Sequence, residues 1–201
     1  MIRLATHPIA AWLLALAVIG SAVVSGLVSA NHATAAHWRV NAGVTRYVTV
    51  RNNTRDGDAW DEAIIYAVNT WNTALATAGA DLVLVYNNPP VNFCDWRDDK
   101  IVVCSKTDTG AAWHGSAGCL ANTNNHCQWG TVAFNDYWYR DVHGLPPDAP
   151  ERKMLACHEI GHTLLLAHGA DPTTTCVNAQ SVRTDPGSHD VEALAAMYAH
   201  R

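Results

Sequence analysis

The stretch from Cys157 to Gly169 reads CHEIGHTLLLAHG, with His158, Glu159, His162 and His168 inside eleven residues. No other part of the chain restricts the fold as tightly. His158 and His162 are four apart, so on an α-helix they share a face and two imidazoles can grip one ion. Glu159 is one position on. Its carboxylate cannot easily reach that ion but can sit beside water bound there. His168 follows His162 by six residues, which on a continuous helix turns it roughly 120° off the shared face. It joins the other two only if the helix ends between them in a sharp turn, usually made at a residue of positive φ. The middle of that stretch is Leu165, and a left-handed leucine costs roughly 1–2 kcal/mol. If His168 does not turn back, Asp171, His189, Asp190 and Glu192 are the alternative third ligands. Asp190 and Glu192 are better suited to capping and charging the start of a last helix.

Around this segment the sequence divides into periodic pieces. Residues 150–168 run without a breaker other than Gly161 and predict a helix, with Asp148 as its cap and Pro150 in its first turn. In DGDAWDEAIIYAVNTWNTAL, Trp60, Ile64, Ala67, Val68, Trp71 and Leu75 recur at helical spacing. Asp56 or Asp58 caps that helix, Ala78-Gly79 ends it, and its tryptophans belong to the core. A final helix is expected over SHDVEALAAMYAH, started by Ser188 or Asp190, with Val191, Leu194 and Met197 or Tyr198 on one face. HWRVNAGVTRYVTVRN predicts a strand or hairpin; DLVLVYN, KIVVCS and GTVAFNDYWY predict strands. Between the last two lies a Gly-, Ser- and Asn-rich stretch that reads as a long loop or irregular edge.

The beginning of the chain has a different character. Arg3 is its only charge up to residue 36, and Ile9 to Val28 is apolar or small. Small residues follow, with plausible cleavage after Ala30 or Ala35. This is the layout of a secretory signal peptide over 1–36, with a single domain over 37–201. An uncleaved anchor is the alternative, since the run is long enough to span a membrane. Either way the domain lies outside the cytoplasm. Without the leader it carries 12 bases against 18 acids and no basic run, which argues against a nucleic-acid partner. After leader cleavage no membrane partner is expected, and the domain is expected to be a monomer. Six cysteines, Cys94, Cys104, Cys119, Cys127, Cys157 and Cys176, suit three disulfides in an exported chain. Sequence does not choose among the fifteen pairings. Pairing neighbours gives Cys94–Cys104, Cys119–Cys127 and Cys157–Cys176. The absence of a C-x-x-C pair disfavours a cysteine zinc site.

With these residues in place, the segment resembles the metzincin zinc peptidases, whose signature is H-E-x-x-H-x-x-G-x-x-H. ACHEIGHTLLLAH, followed by CVN and SHDVEALAAMY, looks like the secreted matrixin-like peptidases of actinobacteria. The resemblance is specific over 157–168, moderate over 176–198 and only architectural before that. It implies an α+β, metzincin-like fold: a twisted mixed sheet of four to five strands, an active-site helix, a second long helix and a C-terminal helix. It implies one catalytic zinc on His158, His162 and His168, Glu159 as general base, and a protein or peptide substrate. Two positions depart from the pattern. Leu165 replaces the signature glycine, and Val177 falls where the family carries a methionine beneath the metal. A Cys157–Cys176 bridge would help hold the turn that Leu165 makes difficult.

The expected activity is therefore that of a secreted zinc-dependent endopeptidase. The alternative is a catalytically impaired binding domain that kept the scaffold, and a small-molecule hydrolase is a third reading. Tyr137, Tyr139 and Tyr198 are candidate oxyanion donors, though core or surface packing suits each better. His114, His126 and His143 read as solvated loop residues. Asp95, Asp98 and Asp99 raise structural Ca2+, but their spacing matches no calcium loop and an acidic turn is the expectation.

Overall fold

The computed structural model describes residues 37–54, 57–89, 94, 99–121, 126–146 and 148–198. The leader and its cleavage sites, Asp56, Asp95 and Asp98 lie outside them, as does the side chain of Asp58. Among the described residues no helix is long and apolar enough to cross a membrane.

The architecture is α+β on a six-stranded mixed sheet. In chain order the elements are β1 (His37–Trp38), β2 (Arg46–Asn53), α1 (Gly57–Thr77), β3 (Leu82–Asn87), β4 (Lys100–Lys106), β5 (Gly115–Ala121) and β6 (His126–Asn135). The π-helical turn Tyr137–Val142 follows, then α2 (Pro150–Thr163) and α3 (Ser188–Tyr198). The sheet runs β1-β6-β4-β2-β3, with β5 on β6. β5 is antiparallel to β6, while every other strand pairing is parallel. Parallel neighbours need a crossover, and α1 supplies it between β2 and β3. β5 is the antiparallel edge.

α1 follows its sequence period. Trp60, Ile64, Ala67, Val68, Trp71 and Leu75 are all buried, and the helix gives way at Gly79 with φ 69°. Burying a tryptophan leaves an N–H to satisfy. Trp60 Nε1 donates to Asp136 Oδ1 at 2.8 Å, and its ring stacks on Phe134 at 4.0 Å. Trp71 Nε1 donates to Cys157 O at 2.9 Å, which fastens α1 to the middle of α2. Leu194, Met197 and Tyr198 close the core from α3.

Several expectations need correction. The first strand region is not a hairpin: β1 pairs with β6, and β2 lies between β3 and β4. The strand expected over GTVAFNDYWY ends at Asn135, because buried Asp136 turns to meet Trp60 and the backbone winds into the π-helical turn. Of the two readings of the Gly-, Ser- and Asn-rich stretch, long loop or irregular edge, the edge holds: it contains β5, which pairs along β6 from Gly115 to Ala121. Asp148 does not cap α2. Ala149 holds that position without a side-chain bond, and Pro150 begins the helix as expected. The three neighbour pairs of cysteines all stand at disulfide distance, with Cα separations of 5.8, 5.7 and 6.0 Å.

Candidate metal centre

α2 places His158 and His162 on one face, and the chain then has to bring His168 to them. The helix ends at Thr163, Leu164 follows as its cap, and Leu165 takes φ 68°. That is the left-handed residue the spacing demands, occupied by leucine. The reversal is bonded at each step: Leu165 N donates to His162 O at 3.0 Å and Leu166 N to Gly161 O at 3.3 Å. Beyond it the chain is clasped to the segment after Cys176. Gly169 N donates to Val177 O at 2.7 Å, and Asn178 Nδ2 donates to Gly169 O. The Cys157–Cys176 bridge joins the same segment to α2. Together these contacts hold the reversal against the left-handed cost at Leu165.

The result is a compact cluster. The Nε2 atoms of His158 and His162 are 3.0 Å apart, those of His162 and His168 3.1 Å, and those of His158 and His168 3.2 Å. Each of the two helical histidines is oriented through its other nitrogen. His158 Nδ1 lies 2.9 Å from Cys176 O, and His162 Nδ1 lies 2.8 Å from Leu166 O. A carbonyl can only accept, so each Nδ1 carries the proton and each Nε2 presents a lone pair. Burial and the neighbouring His162 hold His158 down to about 4, and burial lowers His162. Two lone pairs 3.0 Å apart repel one another unless a cation lies between. The spacing also suits one: nitrogens about 2.0–2.1 Å from a tetrahedral zinc stand roughly 3.3 Å apart. Donor type, tautomer and spacing therefore fit a zinc ion held by His158, His162 and His168, the one such cluster among the described residues.

Glu159 is 4% exposed and lines the same cleft, a space of about 530 Å³. Burial pushes its carboxyl up to about 8. The walls of the cleft come from β5 (Gly115, Ser116, Ala117), α2 (Met154, Leu155) and the loop at Asn178 and Ala179. Beneath α2, Gly161 permits a close approach: a Cβ there would lie 2.5 Å from Val177 Cγ2 and 2.6 Å from Trp71. Val177 is fully buried and floors the helix as an apolar group. Met197 packs in the core from α3.

The alternative third ligands are placed elsewhere. Asp171 accepts from Thr173, and buried Asp190 accepts from Thr175 Oγ1 and Gly187 N at the start of α3. His189 and Glu192 are not part of the cluster. Of the tyrosines, Tyr198 is buried beside His37, and Tyr137 packs on Trp138. Tyr139, however, lines the cleft with His114, whose Nδ1 is 3.4 Å from its hydroxyl. Burial and the nearby Glu159 raise the Tyr139 phenol. His114 is therefore a cleft residue and not a bystander, stacked on Trp138 at 5.1 Å. No sequence motif singles out this pair, because residues 114 and 139 meet only through the pairing of β5 with β6. Asp99 is paired with Arg46.

No family model matches the chain, and no curated protein matches it. Among solved structures it is similar to archaemetzincin from Methanopyrus kandleri, at 14% identity and a TM-score of 0.44, covering 78% of this chain and 97% of that one. It is similar to high choriolytic enzyme 1, a hatching enzyme zinc-protease from the medaka Oryzias latipes, at 12% identity and a TM-score of 0.32, covering 66% of this chain and 50% of that one. A chaperone–substrate complex matches at 12% identity and a TM-score of 0.39, covering 79% of this chain and 35% of that one. At these identities and TM-scores the likenesses decide neither family nor function.

Proposed function

We propose that the protein is a secreted, metzincin-like zinc endopeptidase. The observation that carries this reading is the convergence of three imidazole Nε2 atoms within 3.0–3.2 Å in a cleft that also contains Glu159. His158, His162 and His168 would hold the ion. Zinc in such a site supplies Lewis-acid polarisation of a carbonyl and makes water acidic near neutral pH. Glu159 is the proton carrier. It accepts a proton from the attacking water and returns it to the leaving amine, a role that its place in the cleft beside the three histidines suits. The peptide lies along the outer edge of β5, where Gly115, Ser116 and Ala117 border the cleft, and adds a strand to the sheet. The three cysteine pairs and the leader-like first 36 residues support export.

The rival reading, an impaired binding domain, rests on Leu165 and Val177. Leu165 nonetheless adopts the turn and Val177 fills the floor, so neither substitution opens the cluster. Zinc analysis and casein cleavage with and without chelator separate the two readings. The direct test is Glu159→Ala. It should keep one zinc and the fold while cleavage falls by at least about a thousandfold, on the scale of losing an essential base. Undiminished cleavage sinks the assignment.

A further inference from the structure

Gly115 is the first residue of β5, and the place where its side chain would be is already taken. A Cβ built there would lie 2.3 Å from Glu159 Oε1 and 2.8 Å from both its Cδ and its Cγ. More than the flexible end of the side chain is involved: the limb from Cγ to Oε1 occupies the notch. Gly118, three residues along the same strand, is the contrast, since a Cβ there meets nothing within 4 Å. Gly115 does not have the positive φ that would by itself exclude a side chain, so the constraint is space and not backbone conformation.

Neither wall of this notch can easily retreat. Behind Gly115, buried Asn135 pins the chain leading into β5. Its N–H donates to His114 O at 2.9 Å, and its Nδ2 donates to Trp113 O at 3.1 Å and Asp108 O at 3.0 Å. Behind Glu159, α2 is fastened to α1 through Cys157 O and Trp71 Nε1. If the notch is filled, the Glu159 side chain is the part that moves.

We propose that Gly115 is a positioning residue for Glu159, its missing side chain forming the seat that holds the carboxyl beside the histidine cluster. The consequence for turnover rests on the peptidase reading, but the contact does not. Thermal unfolding of the zinc-loaded proteins tests the contact, using wild type, Gly115→Ala, Glu159→Ala and the double variant, with Gly118→Ala as control. Gly115→Ala should lower the midpoint by about 5 °C, the scale of a modest overpacking in a domain of this size. In the Glu159→Ala background the same change should cost nothing, because the space is vacant. Gly118→Ala should behave alike in both backgrounds. In turnover, Gly115→Ala should lower kcat at least tenfold, with KM within about twofold and zinc stoichiometry unchanged. An equal thermal loss in both backgrounds overturns the proposal, as does a rise in KM with kcat intact, the mark of a blocked substrate path. If Gly115→Ala alone fails to fold, folding of the double variant supports the seat and its failure overturns it. A wild type that cleaves nothing sinks the peptidase reading, while the thermal cycle still decides the contact.

Discussion

His158 and His162 stand on one face of α2 and need only the helix to meet. His168 reaches the same point from a loop, through a left-handed leucine, and needs the rest of the molecule. The helical pair is fixed by 3.6 residues per turn and by a helix locked to α1 through Trp71 and Cys157. The loop histidine is fixed by pieces far apart in sequence: the Cys157–Cys176 bridge, the Gly169–Val177 bond and the Asn178 side chain. Local geometry makes the first half inexpensive but buries a carboxyl beside it. Long-range tethering makes the second half possible but concentrates its support in a few contacts. The two halves should therefore fail in different ways.

The largest effect is expected from the buried carboxyl. Glu159 titrates near 4.5 when unperturbed and near 8 in the fold. Between those values the folded chain keeps a proton that the unfolded chain has released. The stability this contributes is complete below pH 4.5 and is lost as pH rises through 8. His158 acts in the opposite sense. Its folded value of about 4 lies below the usual 6.5, so its contribution is present above 6.5 and is lost as pH falls. Subtracting a Glu159→Gln protein removes the histidine part. In chelator, wild-type stability relative to that variant should fall by on the order of 4 kcal/mol across this window. Denaturant unfolding at a series of pH values measures it. A flat difference would mean that the carboxyl is solvated and the helical half is not buried as described.

Breaking the tether comes next. A Cys157→Ser/Cys176→Ser protein should lose about 2–4 kcal/mol of stability. Because Cys176 O orients His158, zinc affinity should also drop roughly 10–100-fold. Cys119→Ser/Cys127→Ser supplies the comparison. That bridge ties β5 to β6, so its loss should cost a similar stability but leave zinc affinity within about threefold. Equal affinity losses from both bridges would show general loosening and not a tether specific to the metal site.

The same contrast explains what could be read from the sequence. α1 and the face of α2 were legible because each repeats at a local period, and the need for positive φ at the break followed from the six-residue spacing. Of the clasp that satisfies that need, the Cys157–Cys176 bridge was anticipated from the cysteines, but the bonds of Gly169, Val177 and Asn178 were not, since those residues carry no period. β5 was legible only as a loop or irregular edge, for a related reason. Its Gly, Ser and Ala residues have loop composition, and it is a strand because β6 pairs with it along its length. The π-helical turn defeated the strand reading of DYWY because buried Asp136 is committed to Trp60, a partner 76 residues away. Tyr139 and His114 became cleft residues through the same long-range pairing.

The smallest effect expected is the sharpest test of the loop half. Leu165 is held at φ 68° while its side chain packs partly against the core. Leu165→Gly removes a left-handed penalty of roughly 1–2 kcal/mol. It also gives the unfolded chain more freedom, which returns roughly 0.5–1 kcal/mol. These two terms leave a stabilisation of about 0–1.5 kcal/mol, reduced by the core contact the leucine gives up, with zinc affinity held or slightly raised. Leu165→Asn separates the terms, since asparagine tolerates the left-handed region without glycine's full entropy loss. If both variants gain stability, backbone strain at this residue is real and the tether bears it. If both lose more than about 1 kcal/mol, the packing of the leucine outweighs its conformation. In that case the chain keeps Leu165 for its contact with the core, and the departure from glycine stabilises the loop half rather than weakening it.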